Sequence, residues 1–320
     1  MSDQSDEPGR AQAAAPPWEP AQAPPWEVVV EAGAELGERP VWDPRGSCLT
    51  WVDINAGRLH RYTPGDGDQV VLELSADGQP TAIGAAAHRS GGGYVLAAAD
   101  GFRLVGPDGG SEAGPWRPPG MPDDVRFNDG ACDPAGRFWA GTVAHDARPG
   151  AGALYRLDPD GAITTVLQGV TESNGLGWSP DGAILYFIDS GEPEPRVRAF
   201  DYDPDTGRIG WEPYDLIPFP PGTAVPDGLV VDAEGCLWVA MWGAGQVRRY
   251  APSGGLLATL PVPVSRPTCP GFGGPGLADL YLTTAWEGMD EQQRAAEPLA
   301  GHLLRTRPGA DGSPAGVFGG

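Results

Sequence analysis

Glu38, Asn128, Asn174 and Asp227 are far apart in the chain, yet each stands five residues ahead of a tight-turn signal such as Asp-Pro-x-Gly. Brought to one place, these side chains offer oxygen donors, and their two carboxylates balance a divalent cation. Calcium or magnesium suits such a set, and manganese or zinc accepts it. Asn or Asp before Gly, as at Asn174-Gly175 and Asp227-Gly228, also serves as an ordinary turn residue. One such pair would be read that way, whereas four polar residues in one register favour a metal site. Gly84 and Thr268 fill the two remaining places in that register.

Other chemistries find little support. The four histidines, His60, His88, His145 and His302, form no His-x-His or His-Glu-x-x-His pair. There is no Gly-x-Ser-x-Gly elbow, and Ser173 has no histidine near it in sequence, so nothing points to a serine hydrolase. All 21 basic residues are Arg, which excludes a Schiff-base lysine, a Ser-Lys dyad and a P-loop lysine. A net charge of −22 argues against nucleic acid or an anionic membrane surface as partner. Cys48, Cys132, Cys236 and Cys269 lack CxxC spacing and read as buried free thiols rather than disulfides or zinc ligands.

What must position the register is a repeated phrase. Turns starting at Asp43, Arg89, Asp133, Ser179, Asp232 and Gly273 recur at intervals of 46, 44, 46, 53 and 41 residues. Each is followed by a strand rich in aromatic and branched residues, such as Leu49–Asp53, Arg137–Gly141 or Leu237–Met241. Six copies at a period in the forties predict an all-β, six-bladed β-propeller; an irregular sandwich does not explain the even spacing. The short apolar run after each register position then becomes a blade's innermost strand, and the six positions form a ring around one end of the central channel. Trp26–Glu31 reads as a strand that closes the circle by pairing near His302–Arg307.

Residues 1–25 read as a disordered Ala/Pro-rich tail, 26–310 as the propeller and 311–320 as a short Gly-rich tail. No run approaches the roughly 20 apolar residues of a membrane span, and Met1–Arg10 has no hydrophobic signal core. A cytoplasmic protein without a membrane partner is expected.

The segments Leu36–Trp42, Arg126–Gly130 with Phe138–Thr142, Ser173–Gly182 and Pro226–Leu229 together resemble the SMP-30/gluconolactonase/regucalcin family of six-bladed propellers. The resemblance extends over nearly the whole chain after the tail and includes Pro298–Gly301. It implies that Glu38, Asn174 and Asp227 bind one divalent metal (Ca, Zn, Mn or Mg), which agrees with the ring. It also implies that Arg126, Asn128 and Asp146 contact substrate, with Asn128 near the metal. Arg39 stands where the family commonly has a small residue, and its side chain is read as pointing away from the site.

The implied chemistry is hydrolysis of a sugar-acid lactone to the free aldonic acid, with Asp227 and Asn128 as catalytic residues. Asp227 is one candidate base; Asp129 and free solvent are the others. A related hydrolase acting on other esters or organophosphates shares the same fold and metal, as does a calcium-binding propeller without turnover.

Overall fold

The computed structural model describes residues 25–320 apart from 221 and 223, and residues 1–24 of the Ala/Pro-rich segment lie outside the described residues. Six antiparallel blades surround a central channel, as the repeat predicts. Their innermost strands are Gly37–Asp43, Ile83–His88, Val125–Cys132, Ser173–Trp178, Val225–Val231 and Pro267–Gly273, for blades 1 to 6 in turn. Every one of the six turns joins an innermost strand to the second strand of its blade. The helix Glu291–Ala296, capped by Asp290, is the one α-helix among the described residues.

The repeated turn does more than reverse the chain. In blade 3, Asp133 Oδ1 accepts from the backbone of Ala135 and Arg137, while Oδ2 accepts from Trp139 Nε1 at 3.0 Å. Blade 5 repeats the arrangement, with Asp232 taking the Trp238 indole at 2.9 Å. One carboxylate thus satisfies the turn's amides and the polar edge of a fully buried Trp on the next strand. Between blades the core is aromatic: Phe102 stands 4.8 Å from Phe127 and 5.9 Å from Phe138, centroid to centroid. Each such ring stabilises the fold by about 1.5–3 kcal/mol through burial.

The circle closes between the two ends of the chain. Glu27–Val30 forms the outermost strand of blade 6, with Glu27 opposite Arg305 and Val28 opposite Leu304. Arg305 Nη2 also reaches Glu27 at 2.6 Å. The sequence division at residue 310 does not mark a break in packing. Residues 311–320 strap across the end of the channel away from the ring: Gly312 bonds Leu277 near blade 6, and Phe318 bonds His88 in blade 2. Phe318 is 2 % exposed and sits within the core shared by blades 2 and 3. Behind the strap lies a cavity of about 520 Å³, walled by the inner strands and Ser313–Val317. All four cysteines are free and buried. No helix among the described residues is long and apolar enough to cross a membrane.

Candidate metal centre

Every ring position falls on an irregularity of the sheet. Pairing of the innermost strand with its neighbour shifts between Glu38 and Val41, Ile83 and Ala85, Phe127 and Asp129, Ser173 and Leu176, Pro226 and Leu229, and Pro267 and Pro270. A bulge interrupts the alternation of side chains and re-aims the residue it carries. Six bulges in register therefore present one residue per blade at the same end of the channel. At blade 2 that residue is Gly84, where a Cβ would overlap the Phe127 carbonyl; the glycine lets two inner strands approach closely.

The strands are also anchored from outside. Asp53, at the end of blade 1's second strand, accepts from the backbone N–H of Glu35 and Leu36, both at 3.2 Å. Asp189 does the same in blade 4, accepting from Thr171 and Glu172 at 2.8 Å. Each carboxylate thereby fixes the loop that enters the strand bearing Glu38 or Asn174.

Within the ring, Glu38, Asn128, Asn174 and Asp227 are all buried. Burial pushes the Glu38 carboxyl well above its usual range, with repulsion from Asp129 adding to the effect. Burial acts likewise on Asp227, reinforced by Glu38, Glu172 and Asp129 and opposed by a hydrogen bond from Asn174. Asn174 Oδ1 is buried without a hydrogen-bond partner. Two buried carboxylates that repel one another, beside an unsatisfied amide oxygen, are what a hard divalent cation would neutralise and satisfy. Glu38, Asn174 and Asp227 therefore fit such an ion.

Arg126 stands beside this group. Its Nη1 donates to Asn128 Oδ1 at 2.7 Å and to the Phe127 carbonyl at 3.1 Å, while Asn128 Nδ2 donates to the Ser173 carbonyl at 2.9 Å. Asn128 thus spends both ends of its amide on orienting Arg126 and bridging blades 3 and 4. Glu287 and Glu172 lie within electrostatic reach of the guanidinium. Asp146 is not brought into this buried group: its side chain is 63 % exposed and pairs with Arg148 at 2.9 Å.

Two features escape sequence reasoning. Arg39 leaves the ring on the side that faces the strap and lines the cavity there, so its side chain does point away from the ring's other face, yet it is not idle. Its guanidinium spans the channel just beyond the ring, donating to the Leu176 carbonyl at 3.1 Å and the Leu229 carbonyl at 3.4 Å. A backbone φ of +46°, in a region that residues with a Cβ seldom enter, turns it inward. Glu172, two residues before Asn174, is a further carboxyl held above its usual range by burial. Its position ahead of a ring residue is the only signal the sequence offers.

A second acidic group, Asp232, Glu234 and Cys236, has ligand atoms close enough together to hold an ion. Arg249 already occupies it: its Nε and Nη2 reach Asp232 Oδ2 at 2.9 and 2.7 Å, and Nη2 also pairs with Glu234. With that guanidinium seated against both carboxylates and Asp232 Oδ1 accepting from the backbone of Glu234 and Cys236, the group serves the blade 5 turn.

Residues 36–286 match the family described as the SMP-30/gluconolactonase/LRE-like region. A pentonolactonase of Haloferax volcanii is 38% identical over 293 residues, covering 89% of this chain and 95% of the relative. A 6-deoxy-6-sulfogluconolactonase of Pseudomonas putida is 36% identical over 293 residues, covering 91% of this chain and 98% of the relative. Among solved structures, the calcium-binding protein regucalcin of Agrobacterium tumefaciens superposes with a TM-score of 0.84 at 29% identity. That match covers 91% of this chain and 96% of the other.

Proposed function

The chain belongs to the SMP-30/gluconolactonase/LRE-like family, and from that premise we propose that it is a divalent-metal-dependent lactonase, opening a sugar-acid lactone to the free aldonic acid. Lactonase relatives support lactone hydrolysis in general. The observation that carries the metal is the unpartnered, buried Asn174 Oδ1 beside two mutually repelling carboxylates.

Glu38, Asn174 and Asp227 would hold the ion. When bound, it supplies Lewis-acid polarisation of the lactone carbonyl without proton transfer. Arg126 has the planar fork to donate to sugar hydroxyls or to the forming carboxylate, and Asn128 holds that fork in place. Asp227 would take a proton from the attacking water through its placement at the ion rather than through high basicity, since a carboxylate holding a cation is a weak base. The water oxygen bonds the carbonyl carbon and the ring C–O bond breaks. The proton passes from Asp227 to the departing ring oxygen, leaving a hydroxy acid. Asp146, exposed and paired with Arg148 outside the buried group, takes no part in these steps.

The test is a panel of aldonolactones assayed on chelated protein before and after adding Ca²⁺, Mg²⁺, Mn²⁺ or Zn²⁺. Metal-dependent opening of at least one lactone is expected. Turnover of simple esters or organophosphates but no lactone would move the protein to a different hydrolase class. Saturable calcium binding without turnover of any of them would make it a binding propeller.

A further inference from the structure

The peptide ahead of each of the three proposed metal-holding residues accepts a hydrogen bond from the neighbouring blade. Thr268 Oγ1 of blade 6 donates to the Gly37 carbonyl at 2.6 Å, immediately before Glu38. Asn128 Nδ2 of blade 3 donates to the Ser173 carbonyl at 2.9 Å, immediately before Asn174. Ser190 Oγ, just past the second strand of blade 4, donates to the Pro226 carbonyl at 2.6 Å, immediately before Asp227. All three donors are buried, and Thr268 is braced in turn by Thr283 Oγ1 at 2.8 Å.

The placement matters because each accepting peptide sits where strand pairing is interrupted. Register is lost after Glu38, after Ser173 and after Pro226, so the ladder holds these residues only from one side. A bulged residue held by one flank alone can rotate its peptide, swinging the side chain it carries. A hydrogen bond to the preceding carbonyl removes that freedom, and it comes from a different blade each time. Three ligands on three blades are thus referenced to blades 6, 3 and 4 as well as to their own.

We propose that Ser190 and Thr268 are positioning residues for divalent-cation binding, fixing the peptides that aim Asp227 and Glu38, as Asn128 does for Asn174. The inference rests on the reading of the ring as a metal centre. Outer partners that orient metal ligands typically account for about 10–100-fold in affinity. The competing role is plain adhesion between blades, and the structure supplies its control: Thr50 Oγ1 of blade 1 lies 3.1 Å from His88 Nε2 of blade 2, buried and away from the ring.

The experiment titrates Mn²⁺ into chelated full-length protein, following binding by electron paramagnetic resonance and calorimetry, with the melting temperature of each metal-free variant alongside. Ser190→Ala and Thr268→Val should each weaken Mn²⁺ binding by about tenfold. Thr268→Ser, which keeps the hydroxyl, should bind like the wild type. Thr50→Val should lower the melting temperature while leaving Mn²⁺ affinity unchanged. If Ser190→Ala and Thr268→Val bind Mn²⁺ like the wild type but melt like Thr50→Val, they are adhesive only; the inference is overturned and the metal reading stands. Absence of saturable Mn²⁺ and Ca²⁺ uptake by the wild type would overturn the metal reading and this inference with it. Should Ser190→Ala fail to fold, the isosteric Thr268→Val compared with Thr268→Ser decides the question.

Discussion

Arg39 Nη1 lies 3.5 Å from Asp129 Oδ2, and the two side chains are 8% and 1% exposed. An arginine at the channel axis thus supplies a cation to the carboxylate that follows Asn128 in blade 3. Removing one partner of a buried pair leaves the other charge without compensation, which costs about 3–5 kcal/mol. Arg39→Ala should therefore lower unfolding free energy by about that much in denaturant titration. Adding Asp129→Asn should recover part of the loss, since it removes the orphaned charge. Wild-type stability of the single variant would show that Asp129 is balanced from elsewhere.

The pH dependence of the metal-free protein follows from Glu38 and Asp227, both held well above their ordinary values of 4.5 and 3.8. A carboxyl that keeps its proton more tightly when folded stabilises the fold only while protonated. Between the ordinary and the raised values the folded state binds more protons than the unfolded state, so stability falls as pH rises through that window and then levels off. Melting temperatures of the chelated protein should decline upward from about pH 4–5. Glu38→Gln should flatten the curve, and a saturating divalent cation should raise its alkaline limb. A curve that rises through the same window would contradict the burial of these carboxyls as acids.

Arg126→Ala should raise KM for a lactone or lower kcat/KM by about 10–100-fold, a loss of about 1.4–2.8 kcal/mol. Calorimetric metal stoichiometry should not change, because Arg126 contacts Asn128 and the Phe127 carbonyl rather than the three proposed ligands. Loss of metal in this variant would merge two roles that the proposed mechanism keeps apart.

Much of this molecule is legible in its sequence, for physical reasons that also mark the limits. Asp133 and Asp232 recur because one carboxylate caps the turn and binds the Trp six residues later, so turn and strand announce each other. Spacing from those turns brings Glu38, Asn128, Asn174 and Asp227 into one register, and the fold gathers them. The bulges at these positions are invisible, because a bulge is a relation between two strands and no residue type encodes it. Arg39 shows the same limit: the bulge and its positive φ set its guanidinium across the channel, and its contacts there with Leu176, Leu229 and Asp129 have no signal in its place after Glu38. Ser190 lies outside the register altogether, and only the contact with Pro226 brings it into view. The last ten residues look like a Gly-rich end, yet Phe318 makes them part of the core.

That last segment carries its own prediction. Phe318 is 2 % exposed against blades 2 and 3, and truncating a buried Phe costs about 3–5 kcal/mol. Phe318→Ala should lower the melting temperature markedly while leaving Mn²⁺ affinity near wild type, since the strap crosses the end of the channel away from the ring. An unchanged melting temperature would mean that the strap adds nothing to the fold's stability.

Closure of the ring can be tested from the other terminus. Val28 and Val30 pair with Leu304 and Leu303, and Trp26 Nε1 donates to the Pro261 carbonyl at 2.8 Å. Deleting residues 1–24 removes none of these contacts and should leave melting temperature and lactone turnover unchanged. Deletion through Glu31 removes the whole outer strand, the Glu27–Arg305 pair and the Trp26 bond, and leaves Leu303–Thr306 as an unpaired edge. That protein should melt lower and self-associate, detectable by light scattering alongside the thermal scan. Equal melting of the two truncations would show that blade 6 is stable with three strands and that the pairing of the chain ends does not hold the circle together.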